Sequence, residues 1–235
     1  LMIKLIKYII KKIIRKSQWR IKKIYLNKAY TNQKPNLDLI TEIYNSSGIV
    51  HMGAHRGMEA PIYDWLHKKT IWIEANPIVF DDLKDNVCQF INQKVYNVLL
   101  YNEDDKKVNF NISNNDSASS SVYDFGEKSL SMNLKMISKL KLNSKKFDTL
   151  VEEILLDISD YNFWILDLQG AELLALKGAK QSLKKCKSIL IEISKEEYYI
   201  NGAKWEELKY FLNEFGFHNK WEPESSHSDV LFTKK

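Results

Sequence analysis

From Gly48 onward, short apolar runs alternate with longer stretches whose apolar residues recur at helical spacing. "GIVHMGA" (48–54), "TIWIEA" (70–75), "VYNVLLY" (95–101), "NFWILDLQG" (162–170) and "SILIEIS" (188–194) read as five strands, and "DVLFTK" (229–234) as a last one. Helices are expected over Leu37–Tyr44, Glu59–His67, the stretch after Pro77, 147–155, 171–185 and 205–217. Pro77 suits the first turn of its helix, and Val79, Phe80, Leu83 and Val87 then form one apolar face. "KKVNFNI" (106–112) alternates and is expected to pair as a hairpin beyond the third strand. Residues 113–131 are polar and serine-rich, which points to a long functional loop. Strands alternating with helices predict an α/β fold with a mostly parallel central sheet flanked by helices. Ligands of such sheets sit at the carboxyl ends of the strands, here His51, Glu74, Tyr101, Asp167 and Glu192.

Residues 1–34 have a different character. Ile3, Ile6, Ile9, Ile10, Ile13 and Ile14 fill one side of a helical wheel, and Lys4, Lys7, Lys11, Lys12, Arg15 and Lys16 fill the other. No apolar run approaches the ~20 residues of a membrane span, and the lysines interrupt any signal-peptide core. A basic amphipathic helix of this kind is expected to lie on an anionic membrane surface through residues 2–25. The alternative is a helix packed on its own domain or on a second copy. "TNQKPN" (31–36) reads as a linker, which divides the chain into a basic segment, 1–34, and a folded domain, 35–235.

Composition changes that picture in two ways. Of the net charge of +5, eleven positive charges fall in residues 1–34, which carry no acidic residue, so the rest of the chain is at −6. The domain is thus acidic and offers nucleic acid no electrostatic attraction. Cys88 and Cys186 form neither a CxxC nor a cluster with histidines, so no disulfide framework, zinc site or other metal centre is expected, and a reducing, cytoplasmic setting fits.

Gly53 and Gly57 follow the first strand, and Glu74 ends the second. Glycines let backbone approach a ligand closely, and a carboxylate at the second strand end can accept both hydroxyls of a ribose. The dinucleotide fingerprint requires a further glycine where this chain has Ala54 and His55, so a ligand without a pyrophosphate fits better. S-adenosylmethionine is the expected cofactor.

"HMGAHRGMEAPIY", "WIEANPIVFDDLKDN", the serine-rich stretch after "VYNVLLY", "KFDTLV" and "ILDLQGAELLALKGA" follow one another in an order that resembles the FkbM family of methyltransferases, with "EISKEEYY" and "EFGF" completing it. The likeness covers Gly48 to the C-terminus. It implies the Rossmann-like class I fold of enzymes that use S-adenosylmethionine, and O-methylation of a sugar or glycan, as in surface polysaccharide or glycoconjugate synthesis. It also implies that Gly53, Ala54, His55 and Gly57 wrap the methionine end of the cofactor. Glu74 would hold the ribose, Ala75 and Asn76 would lie near the adenosine, and Leu99 to Asn102, including Leu100 and Tyr101, near the adenine. His51, counted with these residues, stands where many members carry an acidic residue.

Methyl transfer to a hydroxyl requires positioning and a general base. Asp167, at the end of the fourth strand, is the first candidate, with cofactor binding as its alternative role. Glu192 is the second candidate, and His227 with Asp229 the third. Ser119 and Ser120 of "SASSS", and Glu172 near a helix start, are expected to meet the substrate. Where nucleobase-methylating enzymes carry an Asn/Asp-Pro-Pro-aromatic turn, this chain has "LDLQG". The leading expectation is therefore a carbohydrate O-methyltransferase working in the cytoplasm at the inner membrane face. A methyltransferase of a non-sugar metabolite and a catalytically degenerate cofactor-binding module remain open.

Overall fold

The computed structural model describes residues 37–234, so the expected basic helix and the linker lie outside the described residues. The described chain runs α1 (Leu37–Asn45), β1 (Gly48–Met52), α2 (Ala60–Trp65), β2 (Lys69–Glu74), α3 (Pro77–Val87), β3 (Gln93–Asn97), β4 (Leu99–Leu100) and β5 (Lys107–Ser113). It continues through α4 (Glu127–Ser131), β6 (Met136–Lys145), α5 (Phe147–Glu153), β7 (Phe163–Leu166), α6 (Glu172–Lys177), β8 (Ser188–Ser194), α7 (Trp205–Glu214), β9 (Phe217–Asn219) and β10 (His227–Lys234). Among these residues no helix is long and apolar enough to cross a membrane.

Seven strands form the central sheet in the order β3-β2-β1-β7-β8-β10-β9. From β3 to β8 every neighbouring pair is parallel, and β10 runs antiparallel between β8 and β9. The alternation of side chains along these strands divides the core in two. Val50, Met52, Ile71, Ile73, Trp164 and Leu166 face one layer, where α5, α6 and α7 contribute Phe147, Leu176 and Leu212. Ile49, Trp72, Phe163 and Ile165 face the other, where α2 and α3 contribute Tyr63 and Leu83. Because both faces are covered, the central strands are buried along their whole length.

The chain builds outward from β1 to β3, then returns to place β7 on the other side of β1. The crossovers therefore diverge between β1 and β7, and the crevice at their carboxyl ends is where this topology seats a ligand.

Four expectations change. The third strand divides: β3 stays in the central sheet, whereas Leu99 and Leu100 pair with β6 in a separate three-stranded sheet ordered β4-β6-β5. "KKVNFNI" does form an antiparallel pair, and its partner is β6, a strand the sequence reading missed. The helix expected over 171–185 stops at Lys177 with Gly178 as its cap, and Gly178 passes so close to Tyr101 that a Cβ would lie 2.0 Å from its carbonyl oxygen. The helix expected over 205–217 ends at Glu214. Gly216, at φ +81°, then turns the chain into the short edge strand β9.

Candidate active site

The loops after β1 and β7 meet at the floor of a cleft. Asp167 N–H donates to the Met52 carbonyl at 3.0 Å, while Gly53 and Ala54 N–H both donate to that of Ile73, at 2.9 and 3.0 Å. Gly53 has φ +82°, and a Cβ on it would lie 1.8 Å from the Asp167 carbonyl oxygen, so only glycine fits here. The cleft holds about 610 Å³ of space, part of it open to solvent. Val98, Leu99, Leu100, Phe110, Val122 and Leu168 give it apolar walls, and Glu74, Ser120, Asp167 and Gln169 supply polar groups.

Glu74 is held from both sides. One carboxylate oxygen accepts from His55 N–H and the other from Asn76 N–H, each at 2.8 Å. Burial nevertheless pushes its pKa up to about 7, against the pull of those donors. Each oxygen keeps lone pairs free for a ligand, so the group can accept a diol. An apolar slot for a flat base, a diol acceptor and a glycine turn that admits close backbone approach together fit an S-adenosyl nucleoside.

Beyond Asp167 the structure assembles all the base candidates into one cluster. Asp167 is open to the cleft on one side and crowded by protein on the others. Its carboxyl faces that of Glu192 at hydrogen-bond range, which one shared proton satisfies. Glu192 Oε1 lies 3.0 Å from His227 Nε2, and His227 Nδ1 lies 2.9 Å from Ser194 Oγ. Asp229 stands opposite Glu192 in the β8–β10 ladder. Burial, then repulsion from Glu192, raises the Asp167 pKa well above the carboxylate range. Burial, then the charges of Glu172 and Asp229, raises Glu192 to about 8, and burial also raises Asp229. Carboxyls this close titrate as a unit. Among the described residues no group of His, Cys, Asp or Glu is arranged to hold a metal ion.

Gly53, His55, Glu74, Ala75, Leu100, Ser120 and Asp167 of the expected residues line the cleft. Others take supporting places. Gly57 packs against Leu83 and Val87 rather than the cleft. Ala54 is buried. Asn76 caps α3 by accepting from Ile78 N–H, and Tyr101 meets Gly178. Ser119 is occupied within the loop, its hydroxyl accepting from Asn115, and its carbonyl lies 3.2 Å from the Tyr199 hydroxyl oxygen. Glu172, expected at the substrate, is buried and accepts from Leu168 and Gly170 N–H, so it fixes the loop after β7. Burial raises its pKa to about 7.

His51 departs furthest from expectation. The strand's alternation turns it away from the cleft into the layer under α2, where it stacks on Trp72 with ring centroids 4.9 Å apart. Burial lowers its pKa to about 3, so it is a neutral core residue.

Two groups escaped the sequence reading. Gln169 donates its amide N–H groups to Asp167 Oδ1 at 2.5 Å and to Glu192 Oε2 at 2.8 Å. Tyr199 donates its hydroxyl to Gln169 Oε1 at 2.5 Å. The available signal was position: a glutamine between a strand-end aspartate and a glycine. The serine-rich loop folds over the glycine turn and is clasped there. Arg56 bonds Asp82 at 2.8 Å and Asp116 through both terminal nitrogens, and His55 Nε2 lies 3.0 Å from the Asp116 carbonyl.

Among solved structures the chain is similar to a TehB-like SAM-dependent methyltransferase from Corynebacterium glutamicum. Identity is 12%, the match covers 94% of this chain and 99% of that one, and the TM-score is 0.42. It is also similar to a SAM-dependent methyltransferase from Aquifex aeolicus (12% identity, 84% and 87% covered, TM-score 0.44) and to WbdD (10%, 86% and 41%, TM-score 0.47). No curated protein matches. The family model for the methyltransferase FkbM domain matches residues 51–218, well over half of the chain. The chain therefore belongs to the FkbM methyltransferases and is an S-adenosylmethionine-dependent methyltransferase.

Proposed function

We propose that the protein methylates a hydroxyl of a neutral sugar or glycan, with Asp167 taking the hydroxyl proton. The observation that carries this reading is the carboxyl cluster at the mouth of the crevice between β1 and β7, with Asp167 as its cleft-facing member. No lysine or arginine lines the cleft among the described residues, so an acceptor bearing phosphate or carboxylate would meet only like charge. A polyol needs many hydrogen-bond partners and no counter-ion, and it suits such a wall.

S-adenosylmethionine supplies an activated methyl on a cationic sulfonium. The remaining work is done by this chain. Gly53, Glu74 and Ala75 hold the nucleoside, and the apolar walls exclude water from the base. A proton arriving at Asp167 displaces the one shared with Glu192, which passes from Glu192 Oε1 to His227 Nε2. The His227 side chain is 30% exposed and opens this path to solvent. Each group gains one proton and loses one, so the cluster returns to its starting charge.

The test is methylation of neutral and acidic glycans with methyl-labelled cofactor, followed by identification of the methylated atom. A methyl ether on a neutral glycan is expected. Asp167→Asn should lower turnover by about 10²–10⁴-fold, with a far smaller change in cofactor affinity. Label on an amine or a carboxyl group, or full turnover by the Asn variant, would sink the reading.

A further inference from the structure

Gln169 is not a surface amide that happens to lie near the site. Its φ of +54° is in the left-handed region, which costs a non-glycine residue energy, and Gly170 follows at +94°. Its main-chain carbonyl accepts from Ser121 Oγ at 2.7 Å, tying this turn to the serine-rich loop. Its side chain makes three further bonds, two to carboxyls and one from Tyr199. Only the NH₂ end of the amide can face two carboxylates, since the carbonyl end would put three acceptors together. The Tyr199 hydroxyl then takes the other end, and the Tyr199 ring is itself buried and packed on Phe125, with centroids 5.5 Å apart. The amide is therefore held in one orientation with one N–H for each carboxyl.

We propose that Gln169, oriented by Tyr199, is a positioning residue that sets the charge of the Asp167–Glu192 pair, and that this charge makes the site prefer the cationic cofactor over its neutral demethylated product. This rests on the reading of Asp167 as the group beside the reacting end of the cofactor. An N–H donated to a carboxylate favours its ionised form, and Gln169 is the donor common to both members of the pair. The groups facing the pair are Glu172 from α6, His227 and Asp229 from β10, and Tyr199 from the segment after β8, while Tyr198 stacks on His227. Among them only His227 can carry positive charge, and the uncharged Gln169 amide is the donor that both carboxyls share. Transfer of the methyl removes the sulfonium charge. A site that reads this charge releases product more readily than it releases substrate.

The test uses the full chain and no acceptor. Dissociation constants of S-adenosylmethionine and S-adenosylhomocysteine are measured by calorimetry from pH 5.5 to 9, and their ratio is followed. In the wild type the preference for the sulfonium should grow as pH rises and the pair ionises. In Gln169→Leu the midpoint of that rise should move up by about one to two pH units, the size expected for losing a hydrogen bond to a charged group. Homocysteine-form binding at low pH should be unchanged. The ligands' own ionisations are common to both proteins, so the displacement belongs to the protein. Tyr199→Phe keeps the buried ring and frees the amide, and should move the midpoint the same way by less, which serves also if the leucine variant fails to fold. A pH-dependent preference in the wild type whose midpoint neither variant moves overturns the role of Gln169 alone. A preference that is flat with pH in the wild type overturns this role together with the placement of Asp167.

Discussion

Glu74 is buried, carries two backbone hydrogen bonds, and still has a pKa near 7. Its two bonds hold the turns on either side, and the cost of burying the carboxyl beside an open cleft fits a group kept for a ligand. Glu74→Ala should weaken S-adenosylmethionine binding by roughly ten-fold or more in a calorimetric titration, because two ribose hydroxyls lose their acceptor. An unchanged constant would remove it from the site. Gly53, Glu74 and Asp167 could be read from the sequence because each needs only a strand end and its own chemistry. His51 could not: it also ends a strand, but its direction follows from the alternation that buries Ile49 and Trp72 in the same layer. Gln169 and Tyr199 are residue types common on any surface, and their meaning lies in partners 23 and 30 positions away.

The strands and helices of the central sheet were legible wherever burial on both faces made the apolar run dense. β6 was not, because it covers only the small core of Leu99, Phe110 and Ile112, and lysines fill much of its length. The break of α6 at Lys177 was missed although Gly178, its cap, is a local stop signal; the close approach of Tyr101 that also requires this glycine could not be read. The serine-rich loop is expected from its composition to be functional, but its attachment could not be read, for the clasp depends on Arg56, a residue of another loop. Arg56→Ala should raise amide exchange across residues 113–122. Exposed ion pairs contribute up to ~1 kcal/mol, so cofactor affinity should fall no more than about five-fold. Unchanged exchange in that stretch would show that the loop is held by its serine and asparagine bonds alone.

The site loads the molecule with carboxyls that burial holds above their ordinary range: Glu74 and Glu172 at about 7 and Glu192 at about 8. Between the unfolded value near 4.5 and these values the folded protein retains protons that the unfolded chain has released. Stability is therefore greatest at the low end of that window and falls as pH rises through about 8. His51 has the opposite slope, but it is half spent at pH 6.5 and gone about one unit higher, so the carboxyls outweigh it across this range. From pH 6.5 to 8.5 the cofactor-free protein should lose up to ~1.4 kcal/mol per pH unit for each proton of difference, seen as a falling melting temperature. Saturating S-adenosylmethionine should flatten the decline, and a melting temperature that rises over this range would contradict it. The place of β10 has a further bearing, on synthesis. β10 follows β9 in the chain yet sits between β9 and β8. While the protein is being made, β9 emerges with no sheet to join, and β8 shows an unpaired edge until β10 is out. A nascent chain stopped in the turn after β9 would present that edge to its neighbours. Late stop codons and stalled ribosomes should thus yield aggregates, not merely an inactive enzyme.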